Sequence, residues 1–316
     1  MYNKPVAKGI YPTMITPFDR RHRIDEAALG RMMQFYLESG VQGVFAVCQS
    51  SEMFYLTLKE RVQLARAVVR LNGELAAGMG RAPLCVVASG HVSEDLEDQL
   101  EEAKQIYDTG IDAFVLVSNR LDLDRQGDDA FKRHAEALLA GTQDMPLGIY
   151  ECPYPYKRLL SPELARWCAD TGRFLFLKDT CCSLPALQEK IEALKGTAMG
   201  LFNANAQTLL PSLELGAAGF SGVMANFHPD LYARLYQLFC QGDSRARALQ
   251  DFLGFAALSE RSAYPVTAKY HMNLVGVPME LISRTRPAAD LDAIARIETE
   301  ALVTLENQAR SLLHRA

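Results

Sequence analysis

Short apolar runs alternate with amphipathic stretches along most of the chain, and this alternation predicts a regular succession of strands and helices. Eight runs have the length and the continuous apolar character of strands that are buried on both faces. The predicted strands are residues 10–16, 43–48, 84–89, 113–118, 147–150, 174–178, 198–202 and 219–224. Apolar residues at helical spacing follow each run, and the predicted helices are residues 26–38, 58–71, 93–108, 127–139, 162–169, 183–194, 207–215 and 230–239.

Eight strand–helix units in strict alternation predict an α/β fold, in which a parallel sheet closes on itself as a (β/α)8 TIM barrel. An open, doubly wound sheet is the alternative, but the first predicted strand lacks the G-x-G-x-x-G turn of dinucleotide-binding sheets. After residue 240 the strand pattern stops, and helices are predicted at 245–258, 262–274 and 288–313. We therefore expect a barrel over residues 1–240 and a C-terminal helical bundle over residues 241–316.

Composition narrows the range of partners and sites. The 316 residues are 49% hydrophobic and 22% charged, which is typical of a soluble globular protein with a filled core. Lys and Arg total 33 against 38 Asp and Glu, so we expect no nucleic acid or membrane partner but a small molecule or another protein. The polar N-terminus and the lack of a run of about 18 apolar residues favour a cytoplasmic location. Seven cysteines without a C-x-x-C pair argue against both disulfides and a metal site.

The most distinctive candidate for chemistry is Lys178, which ends the apolar strand 174–178. Catalytic groups of such barrels project from the C-terminal ends of the strands. Burial there lowers the pKa of a lysine, and the uncharged amine can attack a carbonyl to form a Schiff base. The alternative is a lysine that extends to the barrel rim or pairs with the adjacent Asp179.

Two further segments end strands on the same side of the predicted sheet. Tyr150 closes the strand before that of Lys178, and neighbouring strands lie about 4.8 Å apart, so its phenol is placed to move protons at the amine. The alternative is an ordinary amphipathic aromatic residue. After the second strand, Gln49, Ser50 and Ser51 form a run of small polar groups able to hold a carboxylate. A polar loop that binds nothing is the alternative for this run.

Residues 9–229 resemble one family in the order and spacing of these segments: the dihydrodipicolinate synthase / N-acetylneuraminate lyase family of Schiff-base aldolases. The opening strand carries a T-P-F sequence at residues 16–18, followed by I-D at 24–25. Tyr150 falls on the tyrosine of the family's Y-N-x-P motif, and Lys178 falls on the lysine of the following strand. Residues 219–226, which include Met224, match its G-[VF]-x-x-V-x-A-N stretch.

The resemblance implies a barrel with a C-terminal helical bundle, assembled as a homo-oligomer, either a tetramer or a dimer. It also implies a Lys178 imine with pyruvate or another 2-keto acid, and Tyr150 as the proton shuttle. An iminium is an electron sink for a breaking C–C or C–H bond, so no metal and no organic cofactor are expected. The expected substrate contacts are Gln49, Ser50, Ser51 and Met224.

The chain departs from the family pattern at substrate-facing positions. Cys48-Gln49-Ser50-Ser51-Glu52 replaces the family's G-T-T-G-E, Ser118-Asn119-Arg120-Leu121 replaces a tyrosine pair, and the arginine of N-V-P-x-R-T is missing after Tyr150. We expect Glu151, Tyr154, Tyr156 and Arg120 to shape a divergent pocket. The prediction is a Schiff-base lyase, either aldolase or hydro-lyase. The alternatives are a 2-keto-3-deoxy sugar acid dehydratase of the same family, and a non-catalytic small-molecule-binding barrel.

Overall fold

A computed structural model describes residues 6–314, so the outermost residues of both predicted domains lie outside the described part. Eight parallel strands form one sheet in the order β1-β8-β7-β6-β5-β4-β3-β2. The strands are β1 Gly9–Ile10, β2 Gly43–Phe45, β3 Cys85–Ala88, β4 Ala113–Val117, β5 Leu147–Tyr150, β6 Phe174–Asp179, β7 Gly200–Asn203 and β8 Gly219–Phe220. The N–H groups of Phe45 and Met14 join β2 to the chain after β1, through the carbonyls of Pro12 and Phe45, both at 2.9 Å. The sheet is thus a nearly closed barrel, and the predicted TIM-barrel fold is confirmed.

Helices connect the strands and continue beyond the barrel. They are α1 Glu26–Glu38, α2 Leu58–Gly78, α3 Leu96–Tyr107, α4 Asp128–Gly141, α5 Pro162–Asp170, α6 Leu184–Leu194, α7 Leu209–Leu215, α8 Pro229–Cys240, α9 Arg245–Ala256, α10 Val266–Leu274 and α11 Ala293–His314. Local sequence sets several starts: at α2 the Thr57 side chain accepts from the Glu60 backbone N–H while the Glu60 carboxylate accepts from the Thr57 N–H. No helix in the described chain is long and apolar enough to cross a membrane.

The predicted bounds are wrong at both ends of the barrel and at α10. The first ladder stops at Ile10, because Pro12 has no N–H to donate to a neighbouring strand. The last ladder stops at Phe220, and a 3₁₀ helix, Val223–Asn226, occupies the rest of the predicted strand. Helix α10 begins at Val266 rather than at residue 262, since a residue that precedes a proline, here Tyr264, is disfavoured in helical conformation.

Aromatic side chains fill the barrel interior. The rings of Phe176 and Phe202 stack with centroids 4.5 Å apart, and the ring of Tyr11 meets Phe202 edge-on at 5.0 Å. Close backbone contact completes the seam between the first and last strands, where a Cβ on Gly219 would lie 1.8 Å from the carbonyl oxygen of Gly9. This glycine therefore has a packing role.

A buried polar cluster fastens the last helix to the barrel. Glu306 on α11 accepts hydrogen bonds at 2.8 Å from His228 Nδ1, just before α8, and from His271 Nε2 on α10. All three side chains are fully buried. Burial acts to raise the pKa of Glu306, but the two histidines outweigh it and lower that pKa to about 2. The C-terminal helices are thus held against the barrel by a carboxylate that stays ionised.

Candidate active site

Lys178 and Tyr150 are register partners at the ends of neighbouring strands β6 and β5. Lys178 Nζ lies 4.4 Å from the centroid of the Tyr150 ring and 5.5 Å from that of the Phe45 ring. Both Lys178 and Tyr150 line a cavity of about 420 Å³ at the C-terminal ends of the strands. The structure therefore brings the two predicted catalytic residues together.

The environment of Lys178 favours the uncharged amine. The residue is only 4% exposed, and no atom of residues 6–314 accepts a hydrogen bond from its Nζ. Burial lowers the pKa of Lys178 from 10.5 to about 8, while Cys48, Cys152 and Glu260 act weakly in the other direction. The alternative pairing with Asp179 is wrong, because Asp179 Oδ2 accepts instead from Lys190 Nζ at 2.6 Å. An unpaired amine of lowered pKa is the form that a nucleophile requires.

The Tyr150 phenol is oriented by Gln49. Its O–H donates to Gln49 Oε1 at 3.2 Å, and Cys152 Sγ lies 3.6 Å from the same oxygen. Burial raises the pKa of Tyr150 well above its ordinary value of 10. The phenol therefore stays protonated at neutral pH, and its hydrogen bond to Gln49 fixes its orientation.

The two serines of the loop after β2 have different surroundings. Ser51 is fully buried, with Oγ 2.6 Å from the Met14 carbonyl and accepting from the Cys48 N–H at 3.1 Å, and it lies outside the cavity lining. Ser50 lines the cavity, and its Oγ donates to Thr13 Oγ1 at 3.2 Å. In the described chain, no group accepts from the backbone N–H groups of Gln49 and Ser50. These N–H groups are available to a bound anion.

Glu52 ends this loop in a left-handed conformation, with φ of 62°, and binds a distant part of the chain. Its Oε2 accepts from Ser283 Oγ at 2.9 Å and from the backbone N–H groups of Arg284 at 2.5 Å and Thr285 at 2.9 Å. Thr285 and Arg286 both line the cavity. The acidic residue of the loop thus attaches the segment before α11 to the mouth of the site.

Two other predicted pocket residues are buried elsewhere. Met224 is fully buried in the 3₁₀ helix after β8 and lies outside the cavity lining. Glu151 follows β5, and its Oε1 accepts from Lys190 Nζ at 2.5 Å and from the Leu160 N–H at 2.9 Å. These contacts make Glu151 part of an ion cluster behind the strands rather than part of the pocket wall.

The remaining predicted pocket residues form a separate group beside the cavity. Arg120 pairs with Glu94 at 3.1 Å, and its guanidinium lies 5.7 Å from the centroid of the Phe54 ring. The same ring packs edge-on against Tyr154 at 4.8 Å, while the Tyr156 hydroxyl donates to a backbone carbonyl. Arg120, Tyr154 and Tyr156 all lie outside the lining of the cavity, so they do not shape its wall directly.

The chain after α9 also contributes side chains to the cavity, which the sequence pattern did not predict. Glu260 and Tyr264 line the cavity with Lys178. The Tyr264 hydroxyl accepts from Asn226 Nδ2 at 3.1 Å and also interacts with Ser50. Sequence analysis placed Glu260 between two predicted helices and Tyr264 inside the second, with no indication that either reaches the cavity, although the Tyr264-Pro265 pair was a signal that the second helix is interrupted there.

The chain is similar to known proteins in sequence and in fold. The model of the dihydrodipicolinate synthetase family matches residues 6–306. The 4-hydroxy-tetrahydrodipicolinate synthase of Methanococcus maripaludis is 25% identical over 86% of this chain and 89% of its own. Among solved structures, YagE, an E. coli K12 prophage protein in complex with pyruvate, has a TM-score of 0.83 at 20% identity and covers 95% of this chain and 98% of its own.

A second solved structure has a similar fold. The Ruminococcus gnavus sialic acid aldolase, solved as a mutant of its catalytic lysine, has a TM-score of 0.81 at 19% identity. The match covers 96% of this chain and 97% of that one. Together with the family match along nearly the whole sequence, these likenesses show a shared barrel fold. The chain belongs to the dihydrodipicolinate synthetase family and is an enzyme of that family.

Proposed function

We propose that the protein is a Schiff-base-forming lyase, an aldolase or hydro-lyase, that acts on pyruvate or another 2-keto acid. The observation that carries this proposal is the Lys178 amine, which is buried, lacks a hydrogen-bond acceptor in the described chain and opens into the cavity. With its pKa lowered to about 8, a useful fraction of this amine is uncharged at neutral pH.

The proposed first steps use Lys178 and Tyr150. Lys178 Nζ attacks the C2 carbonyl carbon, and as the C–N bond forms one proton passes from the nitrogen to the carbonyl oxygen, by way of Tyr150, to give a neutral carbinolamine. The carbinolamine oxygen then leaves as water, with a second proton, and an iminium forms between C2 and Nζ. Tyr150, whose hydroxyl lies on the same cavity and stays protonated, supplies protons to this oxygen. The iminium accepts the electron pair of a bond broken at C3.

The loop after β2 supplies donors for the carboxylate of the keto acid. The backbone N–H groups of Gln49 and Ser50 have no acceptor among the described residues, and both residues line the cavity. Backbone donors do not depend on the side chain, so the replacement of the family's first threonine by Gln49 leaves them in place. The Ser50 hydroxyl adds a third polar group. This arrangement supports binding of a small carboxylate beside Lys178.

Borohydride trapping tests the proposal. The protein is incubated with pyruvate, 2-oxobutanoate or 2-oxoglutarate and sodium borohydride, and adducts are read by intact mass and peptide mapping. We expect a reduced adduct on Lys178 with at least one keto acid. Lys178→Arg is the control, because it retains a cation but forms no stable imine. A folded wild-type protein that gives no adduct with any of these acids would favour the non-catalytic binding barrel.

The products of turnover distinguish the two enzymatic alternatives. Aldol cleavage of a substrate that carries a pyruvate unit releases pyruvate, whereas a 2-keto-3-deoxy sugar acid dehydratase releases water and keeps the carbon chain intact. Mass analysis of the products therefore separates aldolase from dehydratase. Assembly as a homo-oligomer and a cytoplasmic location stay predictions, which size-exclusion chromatography with light scattering and fractionation of the source cells will test.

A further inference from the structure

The connection between α9 and α10 forms one wall of the cavity. A 3₁₀ helix, Ala257–Arg261, packs there against the 3₁₀ helix Val223–Asn226 that follows β8. Glu260 and Tyr264 of this connection line the same cavity as Lys178. The cavity volume of about 420 Å³ falls within the range of about 300–1,000 Å³ typical of pockets for drug-sized ligands. The site therefore has space for a substrate much larger than a three-carbon keto acid.

Glu260 is an unengaged carboxylate on this wall. In the part of the chain that the structure describes, it has neither a hydrogen-bond donor nor an ion-pair partner. The other acidic residue of the lining, Glu52, accepts three hydrogen bonds from residues 283–285 and serves to hold the fold together. The charged groups that act on Glu260 are the adjacent Arg261 and Lys178 itself. A partly buried carboxylate thus shares the cavity with the amine and has no structural function there.

Building on the proposed lyase function, we propose that Glu260 is a catalytic acid/base that exchanges the proton of a hydroxyl at C4 of the substrate. The substrates are then 4-hydroxy-2-oxo acids, whose C1 carboxylate binds at the loop after β2. Their C4 hydroxyl extends to the wall formed by the α9–α10 connection. Tyr150 exchanges protons with the oxygen that leaves C2. Glu260 exchanges a proton with the C4 hydroxyl, in the part of the substrate that is cleaved off.

Cleavage breaks the C3–C4 bond of the substrate. The substrate is an iminium between C2 and Lys178 Nζ, and the Glu260 carboxylate removes the proton from the C4 hydroxyl. The C4–O bond becomes a carbonyl as the C3–C4 bond breaks. The electron pair of the C3–C4 bond forms a C2–C3 double bond, and the π electrons of the C2–N double bond move to nitrogen. An aldehyde leaves, and the neutral enamine remains on Lys178. Tyr150, the proton shuttle at the imine, protonates C3 to restore the iminium and regains its proton from solvent, Glu260 gives its proton to solvent, and water then releases the 2-keto acid.

The phenols of the cavity are less suited to accept this proton. Burial raises the pKa of both Tyr150 and Tyr264 far above the neutral range, so both hydroxyls remain protonated. Burial also raises the pKa of Glu260 above 4.5, against the weaker effects of Arg261 and Lys178. A carboxylate whose pKa is shifted toward neutrality both accepts and returns a proton effectively.

The test separates imine chemistry from cleavage by comparing Glu260→Gln with the wild-type protein. Glu298→Gln is the matched control, since Glu298 is an exposed glutamate on α11 outside the cavity. Two readouts need only pyruvate: borohydride trapping on Lys178, and exchange of the pyruvate methyl protons in D₂O followed by NMR. The third readout is pyruvate release from racemic 4-hydroxy-2-oxo acids that carry methyl, hydroxymethyl or carboxylate groups at C4.

We expect Glu260→Gln to trap and exchange pyruvate within about twofold of the wild type. Its kcat for cleavage should fall by about 10²-fold or more, as for loss of a general acid/base, while Glu298→Gln matches the wild type. Cleavage by Glu260→Gln at the wild-type rate would overturn the inference, as would an equal loss of trapping and cleavage, which indicates a structural role. Wild-type protein that traps pyruvate but cleaves none of these acids also overturns it. Failure of the wild type to trap pyruvate, 2-oxobutanoate and 2-oxoglutarate alike contradicts the proposed function itself.

Discussion

Lys178 and Lys190 are buried to the same degree, at 4% and 3% exposure, yet their surroundings are opposite. Lys190 Nζ lies 2.5 Å from Glu151 Oε1 and 2.6 Å from Asp179 Oδ2. Burial acts to lower the pKa of Lys190, but the two carboxylates outweigh it and raise that pKa. Lys178 has aromatic rings in place of carboxylates, and its pKa falls to about 8. Burial alone therefore does not lower the pKa of a lysine. The pKa falls at Lys178 because no carboxylate of residues 6–314 contacts its amine.

Strand geometry separates the two sites although they are adjacent in sequence. Side chains of consecutive strand residues point to opposite faces of the sheet, so Lys178 faces the cavity while Asp179 faces the surrounding helices. There Asp179 and Glu151 meet Lys190 of α6. The barrel wall thus separates the Lys178 amine from the carboxylates of Glu151 and Asp179, which would otherwise stabilise its protonated form.

The largest effect is expected on stability, from Lys190→Met. This change leaves Glu151 and Asp179 buried without a cation, and breaking such a buried group typically costs about 3–5 kcal/mol. Urea unfolding followed by circular dichroism measures the free energy of unfolding. Lys195→Met is the matched control, because Lys195 pairs with Glu192 on the surface at 65% exposure, and exposed substitutions change stability by less than about 0.5 kcal/mol. Equal losses in both variants would show that the cluster behind β6 does not stabilise the barrel.

A second prediction concerns the pH dependence of amine reactivity. Because the pKa of Lys178 is about 8 in the folded protein, its acetylation by acetic anhydride should rise with pH to a midpoint near 8. Quantitative peptide mass spectrometry compares this profile with that of Lys178 in the urea-unfolded chain, where the midpoint returns toward about 10.4. Lys190, whose pKa is raised, should remain unreactive over the same range. A folded-state midpoint close to the unfolded one would mean that water or an anion solvates the Lys178 amine.

The smallest effect is a gain in stability from Lys178→Met. The pKa of Lys178 is lower in the folded than in the unfolded chain, so the unfolded chain binds the proton more tightly between about pH 8 and 10.5. Stability of the wild type therefore falls as pH drops through this window, and the penalty is complete below pH 8. We expect Lys178→Met to be more stable by about 1 kcal/mol at pH 7, with a smaller gain at pH 10. Destabilisation at pH 7 would show that the amine contributes to the fold.

The repeating parts of the fold were accessible from sequence because each unit carries its own signal. Eight apolar runs with amphipathic segments between them allow few arrangements, and the predicted barrel is the one that forms. The pairing of Lys178 with Tyr150 follows from the same regularity, since both residues end neighbouring parallel strands. The predicted ends of the first and last strands were wrong. A missing N–H donor at Pro12 shortens the first strand, and the 3₁₀ helix after Gly222 shortens the last.

Other parts of the site depend on contacts that no local pattern records. Ser50 and Ser51 are adjacent and chemically identical, yet only Ser50 lines the cavity, because Ser51 turns inward to backbone groups of the loop. Glu260 lies 82 residues beyond Lys178, between two predicted helices of the C-terminal segment. Which of its residues reach the cavity depends on how the C-terminal helices pack, and this is a property of the folded molecule.

The hydrogen bonds of Glu52 have a consequence for how the enzyme is made. Ser283, one of the three donors to its carboxylate, lies 231 residues further along the chain. A ribosome adding about 5–20 residues per second needs on the order of tens of seconds to cover that interval. During this time the barrel strands, including Lys178, are already synthesised, but the loop after β2 has not met its partners. The nascent chain thus carries Lys178 in an unfinished pocket, and the pocket is completed only near the end of translation.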